Sequence, residues 1–261
     1  MKRHFYILSL LLVLTGCESF LESEDYTKKN TGNFPRTVED ANQMVTGIYS
    51  TLSAAISNPQ HTHFYAAELA SDDRFGGGGE NDKDMQGLDH LMNTKSSRFE
   101  PYWIARYQGI YRANTALFNF DQIEGWESEA QENQLKGEVY FLRALFYFEL
   151  SQMFGEVPLV TGVEAQNLPK TPAEETYAQT AFDLQEAIRL MPATSYTNTV
   201  SGHATKWAAE ALMARVFLFY TGYYSKTSLP VVGGGSIEKA QVIAWLDDCI
   251  ANSGHDLVSD F

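Results

Sequence analysis

Cysteine is scarce in this chain: its 261 residues contain two, Cys17 and Cys249. Two cysteines cannot build the multiple-bridge framework of a small exported domain, so the fold must rest on a packed core. Positive charge is also short, with 19 Lys and Arg against 33 Asp and Glu and a net charge of −14. A surface this acidic repels phosphate backbones and anionic lipid, which argues against nucleic acid as a partner. No apolar run reaches the roughly 20 residues of a membrane-spanning helix. The most apolar internal stretch, Val139 to Leu150, is interrupted by Arg143 and Glu149 and is predicted to be a buried helix with paired charges. H-E-x-x-H, G-x-S-x-G and Cys/His nucleophile patterns are all missing. Cys249 stands among Asp247, Asp248 and Ile250, an acidic setting that disfavours a thiolate nucleophile.

What the chain does have begins at its first residue. Lys2 and Arg3 precede an apolar segment, Phe5 to Leu14, which is closed by Leu14-Thr15-Gly16-Cys17. The segment is too short to span a bilayer and matches a signal peptide. Leu, Thr, Gly and Cys in this order match a bacterial lipobox, so residues 1–16 are expected to be removed and Cys17 acylated. Two or more acyl chains on one residue make a stable anchor. Residues 17–33 are polar and acidic and are expected to form a tether.

From residue 34 the pattern is helical. Thr37 and Asp40 have capping-box spacing ahead of Ala41, Met44, Val45, Ile48, Tyr49 and Leu52, which share a face. A short helix over Phe64–Leu69 runs into Ser71–Phe75 and four consecutive glycines, Gly76 to Gly79. From Ser71 to Ser97 no period is sustained, and a loop of that length is expected to be functional or disordered. Helices are predicted over Phe99–Ile123, Glu127–Phe154, Pro172–Met191, Ala204–Tyr224 and Ile237–Asn252. The third of these is expected to carry Thr171 at N-cap and Pro172 at N1. A short β-like piece spans Val157–Thr161. Gly137-x-x-Tyr140 and Leu184-x-x-Ala187-x4-Pro192 fit the two helices of a tetratricopeptide-type pair. The predicted class is all-α, built from tetratricopeptide-like helix pairs with long loops.

Several segments together resemble one family. They are the lipobox with Cys17-Glu18-Ser19-Phe20-Leu21-Glu22, Val38-Glu39-Asp40-Ala41 running into Gly47-Ile48-Tyr49, and Tyr107-x-Gly109-Ile110-Tyr111-Arg112-Ala113-Asn114. Gly137-Glu138-Val139-Tyr140-Phe141-Leu142-Arg143-Ala144, Phe154-Gly155-Glu156-Val157-Pro158-Leu159-Val160 and Gly202-x-Ala204-Thr205-Lys206-Trp207-Ala208-Ala209 complete the set. In this order the chain resembles the SusD/RagB family of nutrient-binding outer-membrane lipoproteins of Bacteroidota. The resemblance implies a cell-surface position, capture of oligosaccharides or peptides without catalysis, and a TonB-dependent, SusC-like β-barrel transporter as partner. The acidic residues Glu18, Glu22, Glu24 and Asp25 look like a surface-export signal. Family members are about twice this long, so residues 34–261 are expected to form the N-terminal helical portion of a longer SusD-like fold. The apolar end of such an interrupted array is expected to be aggregation-prone.

With the resemblance, Asp72, Asp73, Arg74 and Phe75 become candidate ligand-binding residues: charged groups for sugar hydroxyls beside an aromatic face. Asn93 closes the same loop and joins the set. The loop holds no Trp or Tyr, which argues against starch as the ligand. Asp82-x-Asp84-x-Gln86-Gly87 opens like a calcium loop but places Asn93 where a bidentate Glu is required, and no metal is expected. His61-x-His63 has no further ligand at zinc spacing. The glycine run has no following Lys-Ser/Thr and fails as a phosphate cradle. No cofactor is expected. Trp103, Tyr107 and Tyr111, at i, i+4 and i+8, are expected in the core, with a sugar platform as the alternative. Two other classes stay open: a helical scaffold that binds only protein, and a glycan hydrolase with two facing carboxylates.

Overall fold

A computed structural model describes residues 34–54, 62–71, 73–92, 98–164, 167–195 and 202–257. Cys17, and with it the leader and tether, lies outside the described residues. Eight α-helices are described: α1 (Val38–Ala54), α2 (His63–Ala70), α3 (Lys83–Asp89), α4 (Glu100–Asn119), α5 (Glu129–Phe154), α6 (Ala173–Leu190), α7 (Lys206–Tyr223) and α8 (Lys239–Asn252). A two-residue antiparallel pair, β1 (Leu229–Pro230) with β2 (Ser236–Ile237), precedes α8. The all-α expectation holds. No described helix is long and apolar enough to cross a membrane.

The helix starts follow their caps. The Asp40 N–H donates to Thr37 Oγ1 at 3.2 Å and the Thr37 N–H donates to Asp40 Oδ2 at 3.1 Å, the reciprocal pair predicted for α1. Ser128 and Thr205 cap α5 and α7 through their hydroxyls, which accept the N–H groups of Gln131 and Ala208. The start of α6 differs from expectation. Pro172 is its N-cap, and the Thr171 hydroxyl instead accepts the Leu159 N–H at 3.2 Å. That loop contact competes for the oxygen and shifts the helix start by one residue.

From α4 onward, helices adjacent in sequence pack on one another, and α1 packs on α4. Two cores result. One gathers Ile48, Ile110, Phe120, Val139, Leu142, Phe146 and Leu150 between α1, α4 and α5. The other gathers Phe148, Tyr177, Leu184, Met213, Phe217 and Tyr220 between α5, α6, α7 and the β pair. Helix α5 serves both, which is why its 139–150 stretch is apolar nearly all round. Gly137 lets α5 meet the end of α6: a Cβ there would lie 2.5 Å from Met191 Cγ.

The Val157–Thr161 piece forms no strand. Tyr147 Oη donates to the Val160 carbonyl and accepts its N–H, both at 2.8 Å, while Asn114 Nδ2 donates to Val160 O and Gly162 O. Side chains from α4 and α5 therefore satisfy backbone groups that a neighbouring strand would otherwise take.

Candidate functional site

The segment after α2 is more ordered than its sequence suggests. Residues 80–82 form a 3-10 turn that leads into α3, so the unpatterned loop contains a short helical hairpin against α2. The glycines are what conceal it. Gly76 approaches α3 so closely that a Cβ would lie 2.4 Å from the Met85 carbonyl oxygen, and its N–H donates to Asp89 Oδ2 at 3.1 Å. Gln86 Nε2 donates to the carbonyls of Gly77 and Gly79. Glycines needed for backbone approach break the periodicity by which helices are recognised.

On the rim of this hairpin stand three of the predicted ligand residues. Arg74 Nε donates to Glu68 Oε2 at 2.7 Å with both side chains part-exposed, and the Asp73 N–H donates to Ser71 Oγ. Phe75 is 92% exposed. Arg74 and Phe75, neighbours in sequence, are thus both at the surface beside the 3-10 turn; Asp72 and Asn93 lie outside the described residues. Asp82 accepts the Gly79 N–H, and Asp84 faces Arg98 at 3.8 Å. Two residues apart on a helical stretch, they do not converge. His63 opens α2, where burial pushes its imidazole below the ordinary value; His61 is outside the described residues.

The core expectation for the aromatic trio on α4 holds in part: Trp103 and Tyr107 pack against the α1–α4–α5 core, whereas Tyr111 does not. Trp103 and Tyr107 are half-buried and Tyr111 is 57% exposed. With Ile104, Gln108 and Arg112 they line a shallow depression of about 370 Å³. The Trp103 and Tyr107 rings are 4.8 Å apart and tilted by 40°, and Phe154 meets Trp103 edge-on at 5.0 Å. Tyr107 Oη donates to the Pro158 carbonyl at 2.7 Å, which fixes its ring. Arg112 donates to the Gly47 carbonyl and to Ser50 Oγ on α1.

A second cavity, about 320 Å³, lies where α5 meets the start of α7 and is lined by Gln134, Leu135, Glu138, Pro192, Thr194 and His203 among others. Glu138, fully buried, accepts from Tyr49 Oη at 2.9 Å, from Gln134 Nε2 at 2.8 Å and from His203 Nδ1 at 2.7 Å. Tyr49 Oη also accepts the Ala204 N–H. Sequence reasoning missed this cluster, although a Glu inside the apolar Gly137–Ala144 run was its available signal. Its polar groups satisfy one another and tie the start of α7 to α1 and α5, so the arrangement is a clamp.

Arg143 and Glu149 are buried or nearly so, each with a partner on another helix. Arg143 makes a two-pronged contact with Asp183 at 2.8 and 2.6 Å and donates to Asn114 Oδ1 at 2.8 Å. Burial opposes its charge, yet Asp183 more than offsets this and holds the guanidinium pKa above its usual value. Glu149 pairs with Arg106, which also donates to the Thr51 carbonyl. These pairs pin α4, α5 and α6 together. Among the described residues no group of three or more His, Cys, Asp or Glu is placed to hold a metal ion.

Comparison with known proteins agrees with this architecture. A family model described as starch-binding associating with outer membrane, SusD-like, matches residues 19–218. SusD-like protein P38 of Formosa agariphila is 28% identical over 224 residues, covering 84% of this chain and 42% of that protein. A laminarin binding SusD-like protein of known structure is 25% identical, with a TM-score of 0.67 over 85% of this chain and 47% of that one. A SusD superfamily protein from Parabacteroides distasonis, 26% identical, gives a TM-score of 0.67 over 89% of this chain and 47% of that one. The chain thus spans less than half the length of each of these relatives, and over that span it belongs to the SusD-like family.

Proposed function

We propose that this protein is a glycan-capturing lipoprotein of the bacterial cell surface, anchored through Cys17 and acting with a TonB-dependent, SusC-like β-barrel transporter. Residues 1–16 are the export leader, 17–33 the tether, and 34–261 the N-terminal helical part of the binding protein. The observation that carries this reading is the family match, joined to a relative whose description is laminarin binding. The role is capture and hand-over, without bond cleavage. In this reading Asp72, Asp73, Arg74, Phe75 and Asn93 face the ligand. The exposed Phe75 ring offers an apolar face, and the Arg74–Glu68 pair offers donors and acceptors to sugar hydroxyls. The acidic surface favours neutral oligosaccharides over polyanionic ones.

Titration calorimetry of the full chain against laminarihexaose, maltohexaose and cellohexaose tests the binding. Saturable binding of at least one is expected, with Phe75→Ala weakening it by about three- to tenfold. Binding to none of them counts against the glycan reading. A pull-down from native membranes in mild detergent tests the partnership. Co-recovery of a large β-barrel protein is expected, and recovery without a barrel refutes the transporter part alone.

A further inference from the structure

The α4 depression is not used by the loop site, yet its chemistry suits the same class of ligand. Trp103, Tyr107 and Tyr111 succeed one another every four residues on one helix. Their positions therefore advance about 6 Å at a time along the axis, comparable to the length of one pyranose unit. Two of the three are held before any ligand arrives. Phe154 braces the Trp103 ring, and the Pro158 carbonyl fixes Tyr107. Tyr111, mostly exposed, has an unburied ring to offer. Gln108 lines the depression between them, and its amide can donate to and accept from hydroxyls at the edge of a stacked sugar. Arg112, the charged group of the depression, is engaged with Gly47 and Ser50 on α1. The site is thus a row of rings with polar edges, a pattern that favours a ligand with apolar faces and hydroxyl rims.

Resting on the glycan reading above, we propose that the Trp103–Tyr107–Tyr111 depression is a second saccharide-stacking surface, separate from the Phe75 loop, that takes successive rings of a neutral oligosaccharide. Tyr111 is the outermost ring and the one least committed to packing, so it is the residue to change.

The test uses the full chain and whichever hexasaccharide of the panel it binds most tightly. Affinity is read by calorimetry and ring contact by tryptophan fluorescence, with Trp103→Phe to assign the Trp103 signal. Tyr111→Ala and Gln108→Ala are expected to weaken binding about three- to tenfold. Tyr111→Phe, which keeps the ring, is expected to bind as the unaltered chain does. The Trp103 emission is expected to shift on titration, and to shift in Phe75→Ala as well. Unchanged affinity in Tyr111→Ala, or a silent Trp103, overturns this proposal while leaving the glycan reading intact. Equal loss in Tyr111→Phe and Tyr111→Ala overturns the stacking role. Absence of binding by the unaltered chain overturns both.

Discussion

Glu210 carries a charge that burial opposes. It is fully buried on α7, with Lys206 Nζ 3.3 Å from its Oε1, while that same ammonium lies 2.7 Å from Asp248 on α8. Burial pushes its carboxyl up to about 7; Lys206 opposes the shift, and Asp248 adds to it. A carboxyl whose folded-state pKa is raised favours folding when protonated. Its penalty is absent below the unfolded value near 4.5, grows as pH rises toward 7, and is complete above it. Glu210→Gln imitates the protonated form. It is therefore expected to raise the melting temperature at pH 8, by an amount corresponding to about 1–3 kcal/mol, and to leave it unchanged at pH 4.5. A gain of equal size at both pH values would show that burial of the charge is not the cause. The neighbouring Cys249 thiol is pushed up as well, first by burial and then by Glu210, which agrees with its exclusion as a nucleophile.

The cohesion of the helices depends on a few cross-links as well as on apolar area. Arg143 on α5 reaches Asp183 on α6 and Asn114 on α4, and Asn114 in turn holds the carbonyls of Val160 and Gly162. One guanidinium thus connects three helices and an extended segment. Arg143→Met would leave Asp183 fully buried with Gln179 Nε2, at 2.8 Å, as its remaining partner on α6. Loss of about 3–5 kcal/mol is expected, since removing one member of a buried pair leaves the other charge uncompensated. Chemical denaturation measures it. Adding Asp183→Asn to Arg143→Met is expected to recover part of that loss, and a double variant no better than the single one would contradict the account.

Over the described chain, two cores share α5, whereas α2 and α3 contribute Leu69 and Gly87 as their buried residues. Apolar burial is thus concentrated in α1 and α4–α7 and is sparse in the hairpin that carries Arg74 and Phe75. Hydrogen exchange read by mass spectrometry is expected to show α5 as the slowest helix and residues 63–89 exchanging well before it. Exchange of both at one rate would mean that the hairpin is part of the main cooperative unit. A segment with sparse apolar burial beside an exposed aromatic ring contrasts with the α4 depression, which sits on a helix packed into the core.

The sequence by itself determined the all-α class, the five long helices to within a few residues, the cap at Thr37, and the family. Each of these follows from local chemistry: spacing at 3.6 residues, a side-chain oxygen ahead of an apolar run, and ordered motifs. Only the tertiary structure decided the rest. Periodicity identified the Trp103–Tyr107–Tyr111 face, but spacing cannot say whether another element covers it, and here the outer end stays open. The burial of Arg143 was legible, whereas Asp183, forty residues away, became its partner only when α5 met α6. The Gly76–Gly79 run read as loop, whereas Gly76 serves a close backbone approach to α3, a need that exists only in the folded chain. Local order is written in neighbouring residues, while burial and pairing depend on what the rest of the chain brings alongside.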